Sequence, residues 1–363
     1  MTTTTTPQPA LLTFGGLTIP AGCRRIFITA ELEPSNGDPR IQPTGFPDVG
    51  PVLYPDPAEK DGLICLIESE ASMANRLEEV CFSNKYEGTL KDTFAGLPYL
   101  KAQTGTGPAA ALKTTSTLDG HRFASDFLAK GRANFGAGVK TLAEHIKDSL
   151  VMAPDGKTMP IANVPNVFSL VFGLDTMSLI HGFQVSNEQI SFVGLRLPRA
   201  LSASVIGLGC ERISVPGIKF NVGQVESESG QAIFQKARIT AKKIEARFSI
   251  DVGLLTSLRL EVPNVSGQPG TNQTARVQLL LAIALWKVAA FLDLLSVELS
   301  LRTECKLRLK NGNQPQIACE GGAAPSVQVF PFATVAAESL ASKITAANLP
   351  GVTEDRSPRV LQF

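Results

Sequence analysis

Histidine is scarce in this chain of 363 residues, which has only His121, His145 and His181. None stands in an HExxH pattern or beside a cysteine in a nucleophile setting, so zinc-protease and cysteine–histidine chemistries have no foothold. There is no GxSxG elbow and no Walker A loop, and GTGPAA at Gly105 lacks the third glycine of a dinucleotide fingerprint. Asp48 has no acidic or histidine neighbour in sequence, and Asp119 has only His121 two residues on, short of a metal-binding or catalytic set. Catalysis needs several matched groups, so we expect no enzyme and assign no catalytic residue, metal ligand or cofactor.

An excess of charge is missing too. The 34 Lys and Arg oppose 33 Asp and Glu, and a net charge of +1 removes any global reason to bind nucleic acid or acidic lipid. Binding must therefore come from local patches. Acids gather between Glu31 and Arg76, while Lys236–Arg247 and Arg302–Lys310 are basic; this suits docking on a second copy or a polyanion, and equally suits solvated faces. The six cysteines form no CxxC pair and have no histidine at ligand spacing, which argues against zinc. Several lie in apolar runs, as reduced thiols do in a cytoplasmic protein. The start, MTTTTTPQPA, lacks the basic and apolar regions of a signal peptide, and residues 1–22 read as a disordered tail. The longest apolar run, Val277–Leu295, contains Lys287 and Asp293, so a buried core helix is expected rather than a membrane span. No fixed-period repeat is present.

What is there alternates strand and helix. RRIFITAELE (Arg24–Glu33) and LICLIE (Leu63–Glu68) read as strands. SEASMANRLEEVCF follows with Met73, Leu77 and Val80 at helical spacing behind possible caps at Ser69 and Ser72. Thr104–Thr117 reads as a mobile loop, His121–Gly131 and Val139–Leu150 as helices, Asn163–Leu174 as a buried strand, and Asp175–Gly182 as a short helix. Ser191–Leu197 returns as a strand. Gly207–Gly230, turning at Pro216-Gly217, looks like an inserted hairpin. Ala237–Val252 is expected as a strand and Thr274–Leu295 as the long helix. Val297–Lys310 is expected as one strand, with Leu299, Leu301, Cys305, Leu307 and Leu309 on one face.

Two stretches offer a binding surface. The corner SEASMANR puts Ser69, Ser72, Asn75 and Arg76 at a helix start, where unpaired amides favour phosphate; a capping box with an exposed arginine explains the same residues. RIQPTGFPDVGP (Arg40–Pro51) is turn chemistry, yet Gly45 and Gly50 permit close backbone approach and Arg40, Gln42 and Thr44 supply donors. Phe46 serves there either as a wedge against a ribose or base, or as a pin to the core.

Together with TLDGHRFASDFL (Thr117–Leu128), DTMSLIHGF (Asp175–Phe183) and RLPRALSAS (Arg196–Ser204), these blocks resemble one family. It is the RNA-binding backbone subunit, of the wider Cas-seven group, in the type I-G (formerly I-U) CRISPR surveillance complex, or Cascade. PTGFPD and SMANRLE are the specific elements of the resemblance, which extends over residues 24–310 through KIEARFSIDVGLL, the helix around Trp286 and LSLRTECKL. It implies an α+β fold, with a modified RRM or ferredoxin-like palm over residues 23–318, helical insertions, and a protruding thumb-like β-hairpin at 207–230. Residues 319–363 would be a C-terminal extension. It also implies a non-catalytic protein that stacks in several copies along the guide crRNA, grips its backbone without reading sequence, and presents it to target DNA. The implied partners are crRNA, target DNA, further copies, the large subunit, the fused five-six subunit and a recruited helicase-nuclease, in the cytoplasm and without a membrane.

Carried onto this chain, the guide contacts would be Ser69, Ser72, Asn75 and Arg76, with Arg40, Gln42, Thr44 and Phe46 nearby and His121 and Arg122 as further phosphate or stacking candidates. The basic strips would touch guide or target phosphates, or pair with the acidic half of the next copy. A backbone subunit that also cleaves RNA, and an unrelated self-assembling protein, are the competing readings.

Overall fold

A computed structural model describes residues 10–46, 50–60, 62–136, 138–150, 164–185, 195–213, 238–261, 272–302, 305–321, 327–349 and 358–362. The first element is a hairpin of β1 (Ala10–Phe14) and β2 (Leu17–Pro20). Residues 10–20 thus leave the expected disordered tail: Leu12, Phe14, Leu17 and Ile19 alternate around Gly15-Gly16 and are all buried.

β3 (Arg25–Pro34) follows, with Ile26, Ile28, Ala30 and Leu32 sealed on one face. The short strands β4 (Gly45–Phe46), β5 (Gly50–Pro51) and β6 (Leu53–Pro55) lead to β7 (Leu63–Glu68) and α1 (Glu70–Glu79). Then come β8 (Phe82–Asn84), β9 (Thr89–Leu90), β10 (Leu100–Thr104) and β11 (Ala111–Thr115). The stretch read as a loop from Thr104 therefore contains a strand, because β11 pairs with β10. After α2 (Asp126–Ala129), Val139–Thr141 forms β13 beside β12 (Arg132–Asn134), and α3 begins only at Leu142 and runs to Leu150.

The apolar run expected as a buried strand is instead helix α4 (Val164–Leu174). Its buried Val167, Val171 and Leu174 recur at i, i+4 and i+7, and a short apolar run does not by itself reveal its period. Next are α5 (Ser178–His181), β14 (Phe183–Val185), β15 (Leu195–Leu197), β16 (Leu201–Ile213), β17 (Arg238–Asp251), α6 (Val252–Ser257) and α7 (Gln273–Val297). Residues 207–213 of the expected thumb belong to β16, paired with β17 as far as Ile213↔Arg238; residues 214–230 lie outside the described residues. The single strand expected at Val297–Lys310 is a hairpin, β18 (Leu299–Arg302) and β19 (Cys305–Leu309), since Leu299 pairs with Leu307 and Arg302 with Cys305. The last elements are β20 (Gln316–Glu320), β21 (Val327–Val329), α8 (Phe332–Ala337), α9 (Ala341–Ala347) and β22 (Arg359–Gln362).

The strands build two main sheets. The central one runs β18-β19-β3-β17-β16-β7-β6, with β20 and β21 attached along β3, and every pairing in it is antiparallel. The second runs β11-β10-β22-β12-β13. The protein is thus mixed α and β with several antiparallel sheets. α7 is the hub: it packs against α1, α6, α8, α9 and β19. It is long and apolar enough to cross a membrane, but 78% of its most apolar window is buried inside the fold, as in a core helix. The C-terminal residues are integrated rather than appended, because β20 pairs with β3 and β22 lies parallel to β10.

Candidate functional site

α1 starts where β7 ends. Ser69 is its N-cap, and its hydroxyl accepts the Ser72 backbone N–H at 3.3 Å, satisfying one orphan amide of the first turn. Met73, Ala74, Leu77 and Glu78 face the core, which leaves Asn75 exposed and Ser69 and Ser72 half-buried. The Gly/Pro-rich loop arrives at this corner: the Thr44 N–H donates to the Ile67 carbonyl at 2.9 Å, two residues before the cap. At its other end Ile41 exchanges backbone hydrogen bonds with Ile239. The loop therefore joins β17 to β7, which are separated in the sheet by β16. Arg199, from the RLPRALSAS block, brings its guanidinium to 3.5 Å from the Glu70 carbonyl in the first turn of α1. Ser69, Ser72, Asn75, Thr44 and Arg199 thus share one corner.

Arg76 is not a free arm at that corner. Its guanidinium lies 3.4 Å from the Glu68 carboxylate, which is 1% exposed. It serves as counter-charge to a buried acid. Arg40 grips Asp38, its Nε donating to both carboxylate oxygens at 2.9 Å. That hydrogen bonding holds the Asp38 carboxyl down at about 2. Gln42 is half-buried between the loop's two anchors. Only the backbone of Phe46 is described, so the choice between wedge and pin lies outside the described side chains.

His121 and Arg122 part company. His121 is 87% exposed and close to Asp119, whereas Arg122 is 4% exposed, in a backbone conformation (φ 48°) uncommon for a non-glycine residue. Its Nε donates to the Gly182 carbonyl at 2.8 Å and its Nη1 to the Ser116 carbonyl at 2.7 Å, and its Nη2 pairs with Glu78. With its donors used inside the protein, Arg122 is corrected from a nucleic-acid contact to a buried tie.

The tie belongs to a larger polar core. Lys287, fully buried in α7, meets His181 Nε2 at 2.8 Å. Burial, reinforced by the Lys287 and Arg122 charges, pushes the His181 ring well below its ordinary value and keeps it neutral. Burial raises the Glu78 carboxyl, while Arg122 and Lys287 oppose that rise. Asp175 ties down the turn that enters α5, accepting the Met177 N–H at 3.0 Å and the Ser178 hydroxyl at 2.6 Å. Gly182 must be glycine: its φ is +79°, and a Cβ there would sit 2.6 Å from the Leu197 carbonyl oxygen. The blocks SMANRLE, GHRF and DTMSLIHGF are therefore joined through one buried ionic network.

Residues 26–212, from β3 to the end of β16, match the family described as CRISPR-associated protein GSU0053. The chain belongs to this CRISPR-associated family. The matched span holds the corner and every member of the ionic network except Lys287. No curated protein matches the chain. Membership gives the protein a role in CRISPR defence.

The basic strips have partners of their own. Arg308 donates to Glu33 at 2.9 Å, Lys310 reaches Glu31, Lys306 lies 3.2 Å from Glu298, Lys242 meets Glu59 at 2.7 Å, and Lys243 and Arg247 both hold Glu245. Glu31, Glu33 and Glu59 of the acidic stretch thus pair with Lys310, Arg308 and Lys242 within the same chain, while Glu245 and Glu298 hold the others. Among the described residues no three His, Cys, Asp or Glu side chains converge as a metal-binding group. Arg199 was missed by sequence reasoning because nothing in RLPRALSAS marks it as a neighbour of α1; only the packing of β16, which follows it, against that helix does so.

Proposed function

We propose that the protein is the non-catalytic backbone subunit of a type I-G CRISPR surveillance complex. It holds the sugar-phosphate backbone of the guide crRNA at the α1 corner and leaves base edges free for target DNA. The observation that carries this reading is the meeting of Ser69, Ser72, Thr44 and Arg199 around the start of α1, with Asn75 exposed in the next turn, in a chain of a CRISPR-associated family. Hydroxyls, an amide, backbone N–H groups and one guanidinium suit phosphate and sugar without selecting a base. A guide differs at every spacer, so specificity belongs to the RNA.

A modified RRM or ferredoxin-like palm is supported by the strand order β19-β3-β17-β16, antiparallel throughout, with α1 and α7 as the crossing helices. Read as βαββαβ, this is the order 4-1-3-2 of that architecture. The proposed thumb is residues 207–230, of which 207–213 belong to β16. Further copies, the large subunit, the fused five-six subunit and the helicase-nuclease are the proposed partners, in the cytoplasm.

The test is assembly with guide RNA. Co-expressed protein should bind crRNAs of unrelated spacer sequence equally, with affinity falling as salt rises. A double variant, Ser72→Asp and Asn75→Asp, should weaken that binding through charge repulsion while the melting temperature holds. Spacer-dependent affinity, or salt-insensitive binding, would overturn the proposal. Excising residues 216–234 should leave a folded monomer that fails to multimerise on RNA; normal multimers would refute the thumb assignment.

A further inference from the structure

The second sheet has a charge pattern that nothing above uses. Its five strands carry Lys101, Lys113, Arg132, Lys140 and Arg359, and not one Asp or Glu. The register divides these cations between two faces. Leu100, Ala102 and Leu361 are fully buried on one face, together with Arg359, which stacks 4.9 Å from the Phe135 ring centroid, and Lys140, which pairs with Asp148. The other face carries Lys101 beside Val360, Gln103 beside Gln362, and Arg132 beside Gln362 and Thr141. Lys113, at the irregularity between β10 and β11, is exposed at the rim. Among the described residues Lys101, Lys113 and Arg132 have no ion pair.

An aromatic ring stands at the edge of the same face. Gly88, in the β8–β9 turn, has φ +64°, and a Cβ there would lie 2.7 Å from Thr115 Cγ2 and 3.2 Å from Leu112 Cδ1, so the turn sits directly on β11. Two residues earlier Tyr86 is 81% exposed, with the Lys85 ammonium 5.5 Å from its ring centroid. The nearby acids are few: Glu79 pairs with Lys85, Glu144 takes the Thr141 N–H and hydroxyl and feels the charge of Arg132 without forming an ion pair with it, and Glu87 shares the turn.

We infer that this open face, with Tyr86 at its margin, is a second binding surface for single-stranded RNA. Unpaired cations track phosphates, an exposed tyrosine gives any base a ring to stack on, and Gln103 and Gln362 offer both donors and acceptors to ribose 2′-hydroxyls. The inference deepens the guide-binding reading and rests on it for the identity of the strand, but uses different residues. The face would hold RNA that extends beyond the α1 corner.

The probe is a 30-nucleotide single-stranded RNA and its DNA counterpart, each titrated with the full chain and then photo-cross-linked for peptide mapping. Lys101→Glu with Arg132→Glu should raise the RNA dissociation constant roughly tenfold and lower the salt slope by about two. Tyr86→Ala should remove the cross-links to residues 85–103 and weaken binding by roughly tenfold. Unchanged RNA affinity in both variants, cross-links confined to residues 40–76, or DNA bound as tightly as RNA would overturn the inference. Because the wild-type cross-link map needs no variant, it decides the matter even where a charge reversal unfolds the sheet. Cross-links at residues 85–103 with none at residues 69–76 would uphold this face and remove the α1 corner, so the two readings fail separately.

Discussion

The two main sheets differ in how they treat charge. In the central sheet Arg308, Lys310 and Lys242 each find a carboxylate on another strand or loop, and Lys243 and Arg247 share Glu245 on their own strand. In the second sheet no strand supplies an acid, and Lys101, Lys113 and Arg132 face outward. Net charge near zero thus conceals one neutralised surface and one cationic surface. Composition averages over both, whereas a polyanion meets only the surface it touches.

The regions are linked by Arg122, which joins the Ser116 carbonyl at the end of β11 to Glu78 on α1 and to Gly182. If this residue is the joint between them, Arg122→Ala should cost about 3–5 kcal/mol, since it strands a buried carboxylate. Chemical denaturation measures the loss; a change below about 1 kcal/mol would show that the regions hold together without it. Arg76→Ala comes next, with an expected loss of about 1–3 kcal/mol from leaving Glu68 buried without its counter-charge. An unchanged melting curve would return Arg76 to the role of a surface contact.

Acid should loosen the same joint. His181 is held neutral in the fold, its value depressed by burial and by Lys287, Arg122 and Arg199, while in the unfolded chain it titrates near 6.5. Its contribution to stability is therefore complete above that value and is lost as the pH falls below it, because the unfolded state binds the proton first. Wild-type melting temperature should decline below pH 6.5 more steeply than that of His181→Gln; parallel curves would disprove this. The smallest effect tests the contrast between the sheets directly. Glu31→Gln with Glu33→Gln frees Lys310 and Arg308 at a stability cost of about 1 kcal/mol or less. RNA affinity should rise and the salt slope steepen by about two, making the central sheet resemble the second. An unaltered slope would mean that pairing is not what keeps the central face quiet.

Local patterns were legible where one signal dominated. The β-branched and aromatic run RRIFITAELE marked β3, Ser69 marked the start of α1, and the apolar run around Trp286 marked α7 as a core helix. Patterns failed where two structures share one signal. NVPNVFSLVFGL is apolar throughout, so its period was hidden until α4 packed. The alternation from Val297 continues through a chain reversal, so β18 and β19 looked like one strand. LLTFGGLTI carried a hairpin signature, but the Thr and Pro residues ahead of it suggested a tail.

The candidate site was legible by residue type and illegible by environment. Ser69, Ser72 and Asn75 stand at an accessible helix start, as the capping pattern required. That Arg122 points inward and its neighbour His121 outward could not be read from HR, because a single left-handed backbone residue sets the direction. The sequence by itself determined β3, β7, the start of α1, the central helix and the family of the chain. Tertiary structure alone decided which cations are spent and which are free. Ion pairing depends on strands far apart in sequence meeting within a few ångströms, as Glu33 meets Arg308 across 275 residues, and no local pattern encodes that encounter.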